Sequence, residues 1–310
     1  MIQFPIISEY EVAIKKSGSA VLNLPDSYEF IANRTVPIKF FNFGSGAFAG
    51  IFKIRNISSN KVFALRCFLN GGDPDDINRT IKVSEYLHTL PDSWVCKSTV
   101  YQRGITVKGN QFPVILMEWT TGKKVNDYVS SIIADNNKIS QLQKKLVELN
   151  KSLETKGIAH GDIQSGNILV EESYNDIILK LVDYDPMYIP ALAGKTATET
   201  GHSSFQHPKR TKSHFNEKID RFSFWLLLTA LEAVKFDKTL WNKDLRGGFN
   251  DEDNFLFKAK DLLNPQSSQL VNRLRSLNQK SLNFYLDKLF SSTFSPQRDE
   301  LKHFASETNN

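Results

Sequence analysis

The chain has 310 residues, 40% of them hydrophobic and 24% charged, a length suited to one large two-lobed domain or two small ones and a composition that excludes a disordered or fibrous polymer. Its 39 basic and 34 acidic residues leave a net charge of +5, too small and too evenly spread to nominate nucleic acid or an anionic membrane as partner. Cys67 and Cys96 are the only cysteines, which excludes a disulfide framework and a four-cysteine zinc site and predicts two free thiols in a reducing compartment.

The opening MIQFPIISEYEV carries Glu9 and Glu11 early and has no basic region ahead of an apolar run. It does not read as a secretory signal, and a cytoplasmic location is expected. Residues 1–30 form a polar N-terminal extension. From Ile38 to Leu69, apolar and polar residues alternate around a glycine cluster, which predicts strand, glycine-rich turn, strand, Asn/Ser turn and strand in an antiparallel meander. Ile77, Ile81, Leu87 and Leu90 recur at helical spacing after Asp75 and Asp76, and Pro91 ends the run. Two further strands are expected near Ser98 to Ile105 and Phe112 to Trp119, with a turn at Gly109 and Asn110.

Beyond Gly122 helical periods take over, at Val125 to Ile133 and Ile139 to Leu153. A strand-rich insert follows, HGDIQSGNILV and DIILKLVDYD, and then an irregular stretch from Pro186 to Phe215, of a length that marks function. The most apolar run, Phe222 to Leu231, is interrupted by Ser223 and Thr229 and falls short of the roughly 20 residues of a membrane span. It reads as a core helix, with Phe222, Phe224 and Trp225 buried. His202, His207 and His214 crowd one loop without metal-ligand spacing and read as loop residues. Lys209, Arg210 and Lys212 read as a solvated basic patch.

Two groups carry chemistry. Glycines between two strands, as in Gly44-Ser-Gly46-Ala-Phe48-Ala-Gly50, let backbone N–H groups approach phosphate, although hairpin turns select glycine without any ligand. Asp162, Asn167 and Asp183 bring acidic and amide oxygens into the strand-rich insert; read singly, Asp162 and Asn167 also fit turn-capping residues.

Taken in order, that glycine turn, Phe63-Ala64-Leu65-Arg66, His160-Gly-Asp162-Ile-Gln-Ser-Gly-Asn167 and Leu181-Val-Asp183 resemble the signature set of the protein-kinase-like superfamily. The resemblance runs from about Phe43 to Val234, most of the chain. It implies an α+β bilobal fold, with a β-rich N-lobe bearing one main helix at residues 31–117, a hinge at 118–123, a helical C-lobe at 124–294 and a polar tail at 295–310. ATP and Mg²⁺ are the implied cofactors, bound between the lobes. Gly44, Gly46 and Phe48 would cover the phosphates, Ile51 and Ala64 opposite it would pack on adenine, and Met117 would be the gatekeeper, with Glu118 to Thr120 offering backbone groups. Arg66 takes the place of the lysine that holds the α- and β-phosphates, and Glu85 is its expected helix partner. Lys53, on the face of Ile51, offers a substitute ammonium or is a solvated lysine. Asp162 is the implied base, with Asn167 and Asp183 as metal ligands.

Several residues depart from the pattern: Ala49 for the third glycine, Gly161 for the arginine that receives an activation phosphate, Gln164 for lysine, Tyr184-Asp185 for Phe-Gly, and Lys209 for the glutamate after Pro208. His160-Gly-Asp162 is also typical of aminoglycoside and choline kinases, whereas Gly201 to Pro208 and the helix begun by Asp220 resemble the protein-kinase branch. The texture resembles an atypical bacterial serine/threonine kinase. The expected function is transfer of phosphate to Ser/Thr hydroxyls of a protein; the alternatives are a pseudokinase scaffold or nucleotide-binding module, and a small-molecule kinase. A protein substrate or regulatory protein is the expected partner, with neither nucleic acid nor membrane.

Overall fold

The computed structural model describes residues 3–33, 40–45, 49–70, 74–174, 176–241, 248–251 and 253–291. The chain divides into two compact units, Met1–Thr120 and Thr121–Asn310, the division falling inside the expected hinge. The expected tail, 295–310, lies outside the described residues.

The first unit begins with α1 (Ile7–Ser17), β1 (Tyr28–Phe30), β2 (Asn42–Ser45), β3 (Ala49–Asn56) and β4 (Val62–Phe68). It continues with α2 (Pro74–Thr89), β5 (Ser98–Val107) and β6 (Asn110–Glu118). The strands form one sheet in the order β1-β3-β4-β6-β5, all antiparallel, with β2 paired to β3 beside β1. Lys108 and Gly109 both have positive φ, 50° and 80°, the mirror-image two-residue turn whose twist matches a right-handed hairpin. Alternation then sorts the side chains. Phe52, Ile54, Leu65, Cys67, Val114 and Leu116 pack on Tyr10 and Ile14 of α1. Phe68 and Ile115, on the other face, pack with Ile77 and Ile81 of α2. Residues 3–30 thus include a helix packed on the sheet, because a sheet apolar on both faces needs a cover on each. Cys67 and Cys96 are buried and free.

The second unit contains β7 (Lys123–Lys124), α3 (Val125–Ile132), α4 (Asn136–Thr155), β8 (Ile168–Ser173) and β9 (Asp176–Leu181). After a long irregular segment come α5 (Arg221–Phe236), α6 (Ala259–Leu263), α7 (Gln269–Ser276) and α8 (Lys280–Ser291). The Asp135 carboxylate caps α4 by accepting from the N–H groups of Asn137 and Lys138, satisfying donors the helix leaves open. α5 is buried on every side from Phe222 to Val234, as an all-round apolar helix must be, and α4 and α8 pack against it. Its one buried acid, Glu232, accepts from Gln143 of α4 at 3.0 Å, Lys235 at 3.0 Å and Ser281 of α8 at 2.6 Å. No helix among the described residues is long and apolar enough to cross a membrane.

Candidate functional site

The loop between α4 and β8 carries the chemistry of the second unit. Asp220, 3% exposed, accepts from the backbone N–H groups of His160 and Gly161 and so pins the loop to the start of α5. Burial pushes the Asp220 carboxyl up, and His160, the two N–H groups and Arg210 offset only part of that. His160 is fully buried, with Nε2 at 2.9 Å from the Val182 carbonyl, a scaffold that ties the loop to the end of β9.

Asp162 is held at both oxygens. Oδ1 accepts from the His202 N–H at 2.7 Å, and Oδ2 accepts from Gln164 Nε2 at 2.6 Å and Asn167 Nδ2 at 3.0 Å. Asn167 Nδ2 also donates to the Asp162 carbonyl at 2.9 Å, so the amide nitrogen is spent and the amide oxygen is the group left for a cation. Asp183, sixteen positions after Asn167, has φ of +65°, a conformation that costs an L-residue about 1–2 kcal/mol. That cost is concentrated at the residue the family pattern assigns to metal.

Two glycines are required by the backbone. Gly161 has φ of +84°, and a Cβ there would stand 2.2 Å from the Pro186 carbonyl oxygen. The arginine missing from this position therefore has no room. Gly201 has φ of +72°, and a Cβ there would come within 2.6 Å of Asp162 Oδ1, on the side from which the next residue, His202, donates.

Negative charge gathers around this loop. Burial pushes the Glu199 carboxyl up, and so do the carboxylates of Asp162, Asp183 and Asp185. Such an excess of carboxylates suits a divalent cation. Among the described residues no group of three His, Cys, Asp or Glu side chains could hold a metal ion by itself.

Arg210 is 8% exposed, so it does not belong to a solvated patch, unlike Lys209 and Lys212 beside it. Its Nη1 donates to Gln206, while Nε and Nη2 are buried without a hydrogen-bond partner. Burial weakens its hold on the proton, and Asp220, Asp162 and Glu199 strengthen it. Nothing in the run KRTK distinguishes this buried arginine from its exposed neighbours. The three loop histidines cap turns of their own, Nδ1 facing the N–H groups of Ser204, Lys209 and Thr211.

In the first unit, cross-strand register places Ile51, Lys53, Ala64, Arg66 and Met117 on one face of the sheet. Ile51 pairs with Arg66, Lys53 with Ala64, and Ala64 with Met117, so Ala64 lies diagonal to Ile51 rather than opposite it. Arg66 is buried at 8% exposure. Glu85 is exposed on α2, while the buried face of that helix carries Ile77, Thr80, Val83, Ser84 and Leu87; Glu85 lies about 100° round the helix from Ser84. Lys53 is half-buried, and its Nζ lies over the Trp119 ring at 4.2 Å, with Phe43 edge-on to the same ring. Glu118 gives its N–H to the Lys97 carbonyl at 2.8 Å and has none to offer a ligand. Gly44 is the described part of the glycine-rich turn, paired with Ile51; Gly46 and Phe48 lie outside the described residues. Thr120 ends this unit.

The sequence pattern of the protein kinase domain matches residues 39–291. This chain belongs to the protein kinase domain family. It is 23% identical over 182 residues to the serine/threonine-protein kinase RAD53 of Saccharomyces cerevisiae, covering 54% of this chain and 21% of that protein. Over 211 residues it is 23% identical to the serine/threonine-protein kinase MST20 of Pyricularia oryzae, covering 65% of this chain and 21% of the other. Over 208 residues it is 25% identical to the serine/threonine-protein kinase dst4 of Dictyostelium discoideum, covering 64% and 40%. The chain spans less than half the length of each of these relatives, all of them eukaryotic.

Proposed function

We propose that this chain is an ATP- and Mg²⁺-dependent phosphotransferase acting on serine or threonine hydroxyls of a protein. The observation that carries the reading is the Asp162 carboxylate, held on both oxygens by His202, Gln164 and Asn167. A carboxylate so fixed is oriented to accept a hydroxyl proton, and phosphoryl transfer asks little more of a protein than alignment and neutralised charge. Asn167, through its amide oxygen, and Asp183 would hold Mg²⁺, which supplies charge neutralisation on the phosphates. Arg66 would grip phosphate with its planar fork, and Ile51, Ala64 and Met117 would pack on the base. The serine/threonine specificity rests on what the three relatives are named for.

The test is labelling of the protein, or of a general protein substrate, from γ-labelled ATP. Asp162→Asn should lower the rate by a factor on the order of 10² to 10⁴, the usual contribution of a positioned base. A thermal-unfolding titration with ATP accompanies it, because a ligand of the native state raises its apparent stability by mass action. A Mg²⁺-dependent rise that Asp183→Ala abolishes supports the site; no rise at millimolar ATP sinks it.

A pseudokinase reading is favoured by one observation, that Arg66 stands where the family pattern has lysine. Nucleotide binding with unchanged labelling in Asp162→Asn would select that reading. Transfer to an amino sugar or choline, with none to protein, would select a small-molecule kinase.

A further inference from the structure

The glycine-rich turn is anchored by a residue far from it in sequence. Along one edge of β3 the chain lays two short strands, β1 against Ile54 to Asn56 and β2 against Gly50 to Phe52. The edge resumes at the Asn33–Phe40 bridge, just ahead of Phe41 and Asn42. At that point the Glu11 carboxylate of α1 receives both backbone donors: Oε1 accepts from the Phe41 N–H at 2.8 Å and the Asn42 N–H at 2.7 Å. Asn42 Oδ1 in turn accepts from the Gly44 N–H at 3.1 Å. Hydrogen bonds thus run from α1 to the first glycine of the turn.

The far side of the turn is gripped by the same helix. A Cβ on Gly50 would fall 2.3 Å from Ile7 Cδ1, so the first turn of α1 lies directly on the strand leaving the glycines. α1 is itself fixed to the sheet, by Tyr10 Oη donating to the Phe68 carbonyl at 2.8 Å, by the Asn70 N–H donating to Pro5, and by the Glu9–Lys108 pair.

Glu11 is 6% exposed and sits beside Tyr10 and Ile14 in an apolar core. Taking a carboxylate out of water costs several kcal/mol unless strong donors meet it. An aliphatic residue would fill the place without that cost, so the acid is explained by what it holds. Lys15 at 3.6 Å from Oε2 is its charged neighbour.

We propose that Glu11 is a positioning residue for nucleotide binding, holding in place β2, the strand that leads into the glycine-rich turn, and its Gly44. This rests on the reading of that turn as a phosphate cover. The test uses the full chain as wild type, Glu11→Ala, Glu11→Gln and Glu11→Asp, with residue-resolved hydrogen exchange and steady-state kinetics. Removing one charge-assisted bond is worth about tenfold. Glu11→Ala should therefore speed exchange at Phe41 and Asn42 by roughly tenfold and raise KM for ATP by a similar factor, with kcat within about twofold. Glu11→Gln, which keeps an acceptor oxygen in place, should restore much of both. Tyr10→Phe, which removes a bond of the same helix to Phe68, should lower thermal stability and leave KM for ATP unchanged. Where Glu11→Ala does not fold, Glu11→Asp, one methylene too short to reach both donors, should show the same changes. Unchanged exchange at Phe41 and Asn42, or faster exchange with an unchanged KM, overturns the proposal. A wild type that binds no ATP overturns the kinase reading instead, and the exchange measurement still decides whether Glu11 holds the strand.

Discussion

Gly161 shows how a backbone contact dictates a single residue. An arginine at this position would receive a phosphate on the following segment, but φ of +84° and the Pro186 carbonyl oxygen leave no room for a side chain. Gly161→Ala should lower stability by about 2 kcal/mol or more, the cost of forcing an L-residue into this conformation against a backbone atom. An unfolding free energy from denaturant titration within about 0.5 kcal/mol of wild type would refute that account. Arg210 is the buried guanidinium whose charge is felt by Asp162 and Asp220 instead, and it reaches this place from beyond Pro208. The sequence made the glycine visible and the reason for it invisible, because Pro186 meets Gly161 only through the bridge that pairs Ala159 with Tyr188.

At the scale of elements, the core helix α5 is tied to its neighbours through Glu232. Burial by itself pushes that carboxyl up, but the Ser281 hydroxyl, the Gln143 amide and the Lys235 ammonium outweigh it and hold it below the ordinary glutamate value. A carboxyl whose native pKa is depressed stabilises the fold above its unfolded pKa and loses that contribution as pH falls through the native one. Glu232→Gln should therefore be less stable than wild type by about 1–3 kcal/mol at pH 7. The gap should close as pH drops below the ordinary value of 4.5. Urea unfolding of both proteins at neutral and acid pH measures it; a gap independent of pH would remove the carboxylate from the explanation. The strands and helices themselves were legible, since β3, β4, β5, β6, α2, α3, α4 and α5 all lie where period and turn residues put them. α1 was not, because its run ISEYEVAIKKS mixes apolar and charged residues and reads as a polar opening until Tyr10 and Ile14 are seen against Phe52.

At the scale of the molecule, the first unit is a sheet covered on both faces, and α1 belongs to it as fully as α2 does. Deleting residues 1–17 should expose the face lined by Phe52, Ile54, Leu65 and Val114. Burying a side chain such as Tyr10 or Ile14 contributes about 1.5–3 kcal/mol, against a total stability of about 5–15 kcal/mol. The shortened chain should aggregate on size exclusion or lose its cooperative transition; a soluble protein with an unchanged Tm would show that the cover is dispensable. By itself the sequence showed most of the strands and helices through local period, and through motifs a few residues long it showed the resemblance to an α+β kinase fold and the candidate set Asp162, Asn167 and Asp183. It did not determine that α1 covers the sheet, that Lys53 rests on Trp119, that Arg210 is buried, or that Glu11 accepts from the strand before the glycines. Those outcomes depend on which way a helix is turned and on which distant backbone group meets a side chain. Only the packed tertiary structure, where burial makes each unpaired charge or donor costly, decides them.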